Sequence, residues 1–342
     1  FKWVLREKVN STYTLEITST VFHTLNTSGV APASNPETVG RPWLPGRGWY
    51  RNCSKTASQA LYPGGANLPG RPLSGRSETL VLLHRGHDAP CTSEGCRMPW
   101  VDEQMDWLNA LGMDVMVLQM PGYQCNYLQP AAKWVPNSTG GGCYHPWWEE
   151  IERQGIAVGR FFVEPVVLTI NYATQHLGYR NIVMTGLSGG GWTTTMAAAL
   201  DPRIDLSMPV AGTTPCSFPK RSVDFEQLCN RPWNMVCDYE CQYALAALED
   251  HRYSVQLLHE FDSCCFHGHG LHGEILSYNA RIRSQIDGHF ETVVTVGNQH
   301  EINPRDRAVL GMMLGNFLRG QGHLESADFA AMPFNILRRW GP

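Results

Sequence analysis

Two patterns of apolar and polar positions alternate between residues 78 and 318 of this chain. Short runs with an apolar centre and polar ends are typical of strands buried on both faces of a parallel sheet. Longer segments between them carry apolar residues at helical spacing. The predicted strands span residues 78–84, 114–120, 182–184, 205–210, 253–261 and 290–296, and the predicted helices span residues 99–111, 147–176, 191–200, 274–286 and 307–318. This alternation predicts an α/β fold, a mostly parallel twisted sheet of about eight strands with helices on both faces.

Two segments depart from this alternation. Residues 1–75 contain strand-like patterns at 13–25 and 57–61 between turn-rich stretches, which predicts antiparallel edge strands and loops. Residues 213–253 carry four cysteines and several prolines in place of a regular pattern, which predicts an insertion. The length of 342 residues fits a single elaborated domain, residues 1–342, that contains both segments.

Composition excludes several classes of protein. Hydrophobic residues make up 43% of the chain and charged residues 17%, which excludes a disordered protein. The net charge of -4 gives no basic surface for nucleic acid, so we expect no nucleic-acid partner. No apolar run reaches the roughly 18 residues that a membrane span needs.

The cysteines and the potential glycosylation sites point to an oxidising secretory route. The chain has 11 cysteines, and N-x-S/T sequences place candidate glycans on Asn10, Asn26, Asn52 and Asn137. An odd cysteine count predicts a free thiol or an intermolecular disulfide with an extracellular assembly partner. The chain begins without methionine or a signal-peptide pattern, so we expect a mature secreted protein.

The most informative stretch is residues 181–200, where an apolar run turns abruptly into a helical pattern. Gly186, Ser188 and Gly190 form G-x-S-x-G at this turn. Small residues on either side of the serine allow a strand to reverse into a helix within a few residues and leave the serine at the apex. A hydroxyl in this position is a candidate nucleophile, provided that a base and an orienting group lie within reach.

This order of elements resembles the α/β-hydrolase superfamily, most closely its secreted esterase and dienelactone-hydrolase-like members, over about residues 79–320. The resemblance implies that Ser188 is the nucleophile, His300 the general base and Asp262 the carboxylate that orients it, because the family places them in this chain order after successive strands. Asp287 is an alternative carboxylate, but it precedes the last predicted strand. The resemblance also implies that residues 213–253 form a disulfide-braced lid.

The same resemblance implies an oxyanion hole built from backbone N–H groups. One donor is Gly189, directly after the nucleophile. The second belongs to the loop after the strand at 78–84, where the family's H-G pair is altered and the choice among Arg85, Gly86 and His87 stays open. Of these, Gly86 and His87 are the leading candidates.

Two further groups of residues bear on ligands. Three histidines at positions 267, 269 and 272 match no zinc spacing, so we expect polar loop residues there, with no metal site and no cofactor. Trp192 and Trp233 are candidate substrate-binding residues, because indole rings stack on sugar or aromatic groups. The resulting prediction is a secreted serine esterase that acts on a small-molecule or carbohydrate ester. Alternatives are a catalytically silent domain with a binding or assembly role, and a peptidase or thioesterase with the same triad.

Overall fold

The computed structural model describes residues 2–9, 12–18, 59–62, 77–87, 99–118, 120–121, 148–149, 152–153, 155, 157–219 and 224–320. The chain divides into two compact units, Phe1–Arg180 and Asn181–Pro342, and each unit is described by itself. Within the described residues there are nine strands, five in the first unit and four in the second, where the sequence predicts about eight. Whether the whole chain is a single domain stays a prediction.

The first unit contains five strands and two helices of the described residues. They are β1 (Lys2–Val9), β2 (Thr12–Thr18), β3 (Gln59–Tyr62), β4 (Thr79–His84), α1 (Pro99–Ala110), β5 (Asp114–Leu118) and α2 (Gly159–Tyr172). The strand order is β1-β2-β3-β5-β4. The first three strands and β5 pair antiparallel in succession, whereas β4 and β5 pair in parallel. Because every residue of β4 and β5 is buried, the apolar centres of these strands are explained by apolar contacts on both faces.

The long helix predicted over residues 147–176 is wrong as a continuous element. Gly155 has a φ of +79°, a left-handed conformation that ends a helical turn and that glycine adopts without steric cost. The regular helix, α2, begins only at Gly159, and a π-helical turn, Ala173–Leu177, continues it. Periodicity alone does not show this break, because the apolar spacing continues through the interrupted segment.

The second unit contains four strands and five helices of the described residues. They are β6 (Asn181–Leu187), α3 (Gly189–Leu200), β7 (Ile204–Val210), α4 (Pro232–Val236), α5 (Tyr239–Ala246), β8 (Tyr253–His259), α6 (His272–Arg283), β9 (His289–Thr295) and α7 (Pro304–Leu318). The strands pair in parallel in the order β6-β7-β8-β9. Their carboxyl ends therefore lie at one edge, where ligand sites form in open parallel sheets.

The insertion predicted at residues 213–253 is only partly irregular. Its last helix, α5, packs on the sheet: the Tyr243 ring lies 5.2 Å from Phe290 of β9 and 6.2 Å from Tyr278 of α6. This places α5 as the crossover helix between β7 and β8. The remainder, residues 213–238, contains the Cys216–Cys229 disulfide, and the Cys237–Cys241 disulfide joins it to α5. Its function as a lid stays a prediction.

A third disulfide joins neighbouring cysteines, Cys264 and Cys265. The adjacent positions suggest disulfides with separate partners, and the structure instead pairs the two cysteines with each other. All four candidate glycosylation sites lie outside the described residues. Among the residues that the structure describes, every helix is too short or too polar to cross a membrane.

Candidate active site

Ser188 lies at the turn between β6 and α3 in a strained backbone conformation. Its φ is 57° and its ψ is -122°, a combination that residues other than glycine rarely adopt and that costs about 1–3 kcal/mol. Its N–H donates to the Val210 carbonyl at 3.0 Å, and its carbonyl accepts from Trp192 N at 2.9 Å. These two bonds end the parallel ladder and begin the helix at the same residue. The strain therefore accompanies the sharp strand-to-helix turn that the sequence predicts.

Two glycines make this turn sterically feasible. A Cβ on Gly191 would lie 2.6 Å from the Val210 carbonyl oxygen, and a Cβ on Gly212 would lie 2.3 Å from Trp192 N. Both distances are too short for real Cβ contacts, so the first turn of α3 packs directly on the backbone that follows β7. Gly191 and Gly212 are thus explained by close backbone approach.

The first turn of α3 also supplies backbone donors next to the serine. Gly189 is the first residue of α3, and N–H groups at this end of a helix have no acceptor within the helix. Such N–H groups, together with the helix dipole, stabilise a negative charge that lies in front of the helix N-terminus. Gly189 N–H is therefore suited to an oxyanion-hole role, which stays a prediction.

The predicted second donors lie in the first unit, in the loop after β4. His84 ends this strand and is buried, and its Nδ1–H donates to the Arg85 carbonyl at 2.8 Å. Burial lowers the pKa of His84 to about 4, so this imidazole is neutral at physiological pH. Gly86 and His87 follow directly in the chain, and their role as oxyanion donors stays a prediction.

In the second unit, Asp262 and His300 lie in hydrogen-bond contact. Asp262 follows β8 and is completely buried, and His300 follows β9 with 19% of its side chain exposed. The distance from His300 Nδ1 is 2.9 Å to Asp262 Oδ2 and 3.1 Å to Oδ1. A carboxylate only accepts hydrogen bonds, so Nδ1 carries a proton, and in the neutral ring Nε2 then presents a lone pair. This is the tautomer that a general base requires.

Asp262 is held in its charged form by several donors. Backbone N–H groups of Cys264 and Cys265 donate to its Oδ1 at 2.8 and 3.0 Å. Burial is the largest effect on the carboxyl and acts to raise its pKa, but hydrogen bonds from His259 and His300 outweigh it and hold the pKa well below its usual range. A buried carboxylate that stays ionised is suited to orient an imidazole and to stabilise its cation.

His300 Nε2 is buried, and none of the described residues forms a hydrogen bond with it, Ser188 included. Ser188 follows β6, while His300 follows β9, so both lie at the carboxyl edge of the same parallel strands. Hydrogen bonds between catalytic groups are often long without substrate and shorten when substrate binds. The structure therefore pairs the base with the carboxylate directly and leaves the bond from the nucleophile to the base unformed.

Sequence reasoning missed two residues beside this pair, His259 and Asp306. His259 Nδ1 lies 3.2 Å from Asp262 Oδ2, and its Nε2 lies 3.0 Å from Asp306 Oδ2. The sequence held a weak signal, because a histidine stands at the end of the buried strand β8. Asp287, the alternative carboxylate, is exposed and precedes β9, at the opposite edge from His300.

Two tryptophans lie beside the nucleophile turn. Trp192 is completely buried, and its ring centroid lies 5.9 Å from that of Trp233, which is partly exposed. Trp192 therefore contributes to packing beneath the segment that contains α4. A role of either residue in substrate binding stays a prediction.

Comparisons with known proteins find similarity at the level of structure only. No family model matches the chain, and no curated protein sequence matches it. The chain resembles Est1E from Butyrivibrio proteoclasticus at 11% identity and a TM-score of 0.42, covering 77% of this chain and 93% of that one. It resembles TT1662 from Thermus thermophilus at 14% identity and a TM-score of 0.48, covering 76% of this chain and 93% of that one. It also resembles the esterase Pf2001 from Pyrococcus furiosus at 10% identity and a TM-score of 0.45, covering 71% of this chain and 81% of that one.

Proposed function

We propose that this chain is a serine hydrolase of the α/β-hydrolase type that cleaves a carboxylic ester. The observation that carries the proposal is the backbone of Ser188, which keeps a strained conformation between a buried strand and a helix N-terminus. Strain of this kind persists only where the surrounding structure enforces it, and it is concentrated at functional sites. The Asp262–His300 pair at the same edge of the strands supports the proposal independently.

In the proposed reaction, Ser188 Oγ attacks the ester carbonyl carbon while His300 Nε2 accepts the hydroxyl proton. Asp262 stabilises the resulting imidazolium through the Nδ1–H bond. The carbonyl oxygen becomes an oxyanion, to which Gly189 N–H donates. Loss of one such donor typically costs about 3–4 kcal/mol of barrier.

Collapse of the tetrahedral intermediate breaks the bond between the carbonyl carbon and the alcohol oxygen. His300 Nε2–H protonates the departing alcohol, and the acyl group stays on Ser188 Oγ as an ester. A water molecule then gives a proton to His300 and attacks the acyl carbon. The acid leaves, and the proton returns from His300 to Ser188. All proton transfers therefore use one nitrogen, the buried Nε2.

Secretion and an oxidising compartment are part of the proposal. Their support is the set of disulfides Cys216–Cys229, Cys237–Cys241 and Cys264–Cys265, because structural disulfides are rare in reducing compartments. Glycosylation of the four asparagines would add to this support. Treatment of the secreted protein with an N-glycosidase, followed by peptide mass analysis, tests the glycans directly.

The decisive experiment is covalent labelling with a fluorophosphonate, with the modified peptide located by mass spectrometry. We expect labelling at Ser188, none in Ser188→Ala, and hydrolysis of p-nitrophenyl acetate by the wild type alone. Asp262→Asn should lower kcat per folded molecule by about 10²–10⁴-fold, because an amide no longer selects the Nδ1–H tautomer. Folded wild-type protein that neither labels nor hydrolyses would instead favour a silent domain with an extracellular binding role. Faster turnover of a matched thioester or amide would favour the thioesterase or peptidase alternative.

A further inference from the structure

Four ionisable side chains form a continuous chain of contacts behind the proposed base. Asp306 contacts His259, His259 contacts Asp262, and Asp262 contacts His300, through atoms 2.9–3.2 Å apart. The side chains of His259, Asp262 and Asp306 are completely buried. The proposed mechanism uses only the last two members of this chain, and His259 and Asp306 have no role in it.

The contacts fix the protonation of His259. Both of its nitrogens face carboxyl oxygens, and an ionised carboxylate only accepts hydrogen bonds, so with both carboxyls ionised both nitrogens carry protons and the ring is an imidazolium. Burial is the largest effect and acts to lower its pKa, but the hydrogen bonds and charges of Asp262 and Asp306 outweigh it and raise the pKa to about 9. A buried cation between two buried anions is thus fully paired, as burial of charge requires.

Asp306 connects this chain of contacts to the loop that carries His300. Its Oδ1 accepts from the hydroxyl of Thr295, the last residue of β9, at 2.6 Å. Its Oδ2 accepts from the backbone N–H of Asn303, the N-cap of α7, at 2.8 Å. The loop with His300 runs between these two residues. Asp306 therefore holds both ends of the loop, while His259 joins Asp306 to Asp262.

We propose that His259 and Asp306 are positioning residues that hold the Asp262 carboxylate and the His300 loop in register for proton transfer. This inference rests on the proposed function, because it assigns a role to groups behind the same base. Asp262 Oδ2 receives hydrogen bonds from two imidazoles, while the backbone N–H groups of Cys264 and Cys265 hold only Oδ1, so the position of Oδ2 toward His300 depends in part on His259. Without His259, Oδ2 loses one of its two donors and can move relative to His300 Nδ1 about the fixed Oδ1, and a shift of about 1 Å in a catalytic group costs about a hundredfold in rate.

The alternative is that the buried ion pairs serve stability alone. The two roles separate in steady-state kinetics, because a stabilising residue changes the amount of folded enzyme, whereas a positioning residue changes kcat per folded molecule. Removal of the His259 cation also leaves the Asp262 charge acting on His300 without compensation. The acid limb of the kcat/KM profile should then move to higher pH, which loss of stability does not cause.

The test uses His259→Gln, with Asp306→Asn as a second variant and His289→Gln as the matched control. His289 begins β9, at the edge opposite to Asp262, so its replacement removes a histidine without touching the proposed site. Activity is measured on p-nitrophenyl acetate and corrected for the folded fraction by circular dichroism. We expect His259→Gln and Asp306→Asn to lower kcat by about 10–100-fold with KM within about twofold, and His289→Gln to resemble the wild type.

The outcomes separate the inference from the proposed function. If the wild type hydrolyses the ester and folded His259→Gln has a kcat within twofold of it, the positioning role is overturned while the proposed function stands. An inactive wild type overturns both. If both variants fail to fold, ¹⁵N NMR of the wild type decides: two protonated ring nitrogens on His259 at pH 7 support the inference, and a neutral ring overturns it.

Discussion

The buried imidazolium of His259 makes stability depend on pH in a direction that can be worked out from the structure. Replacement of His259 by glutamine removes the titratable group but keeps a side chain of similar length. The charged groups in contact with His259 are Asp262 from the loop after β8 and Asp306 from α7, and the backbone of His267 pairs with that of His259 in an isolated bridge. Glu260 is its neighbour in the chain. All four remain in the variant.

The expected magnitude follows from the shift in the pKa of His259. The pKa is about 9 in the folded protein, raised from an ordinary value of 6.5. A raised pKa means that the folded state binds the proton more tightly, so the contribution to stability is complete below about pH 6.5. It is lost as the pH rises through 9. A shift of this size corresponds to a contribution on the order of 3 kcal/mol.

The assay is urea unfolding followed by tryptophan fluorescence, at pH values between 6 and 9.5, for wild type and His259→Gln. The difference in unfolding free energy between the two proteins cancels the shared groups whose titration the substitution leaves unchanged. We expect this difference to favour the wild type most at pH 6 and to fall by about 3 kcal/mol toward pH 9.5. Gly273→Ala is the control, since it changes no titratable group and its Cβ meets no atom within 4 Å. A pH-independent difference for His259→Gln, or one that grows with pH, would refute a buried imidazolium.

Three further predictions concern the fold around the site. Ser188→Gly should stabilise the protein by about 1–3 kcal/mol in thermal unfolding, because glycine relieves the strain at φ 57°, whereas Ser188→Ala keeps a Cβ and should not. Gly212→Ala should destabilise by more than about 2 kcal/mol, because its Cβ meets backbone atoms at 2.3 Å, while Gly273→Ala should be neutral or stabilising. Tyr243→Phe should lower the free energy of urea unfolding by about 1–3 kcal/mol, because the Tyr243 hydroxyl is buried and forms hydrogen bonds with Thr213 and Gln256. Tyr253→Phe, at the partly exposed start of β8, should lower it by less. Equal losses for the two tyrosines would contradict that account.

Features encoded by neighbouring residues could be predicted from the sequence. The turn at Ser188 needs an apolar run, small residues and a helical pattern within about 20 positions, and all three are visible in one stretch. The contact between Asp262 and His300 was implied by the resemblance to the α/β-hydrolases, and the sheet explains it. Successive parallel strands bring their carboxyl ends to one edge, so residues just after β8 and β9 come together despite the 38 positions between them.

Features that depend on one backbone angle or on the choice of a disulfide partner could not be predicted. Gly155 interrupts the helix predicted at residues 147–176, although glycine in a helical pattern is often tolerated and the apolar spacing continues past it. The pairing of Cys264 with Cys265 was also unexpected, because connectivity does not follow from spacing. In both cases the sequence allows several local conformations, and contacts elsewhere in the chain select one.

The contacts of His259 and Asp306 show why buried charge is hard to predict from a pattern. Each residue had an ordinary local explanation: His259 as a polar strand end and Asp306 as part of the Asn303 capping box that begins α7. A buried imidazolium on its own would destabilise the core by several kcal/mol, and so would either carboxylate. They are tolerated together because the fold places the cation between the two anions, although His259 and Asp306 are 47 positions apart in the chain. Removal of one member leaves an unpaired buried charge beside His300, so we expect the proposed chemistry, and not only the fold, to respond to changes at His259.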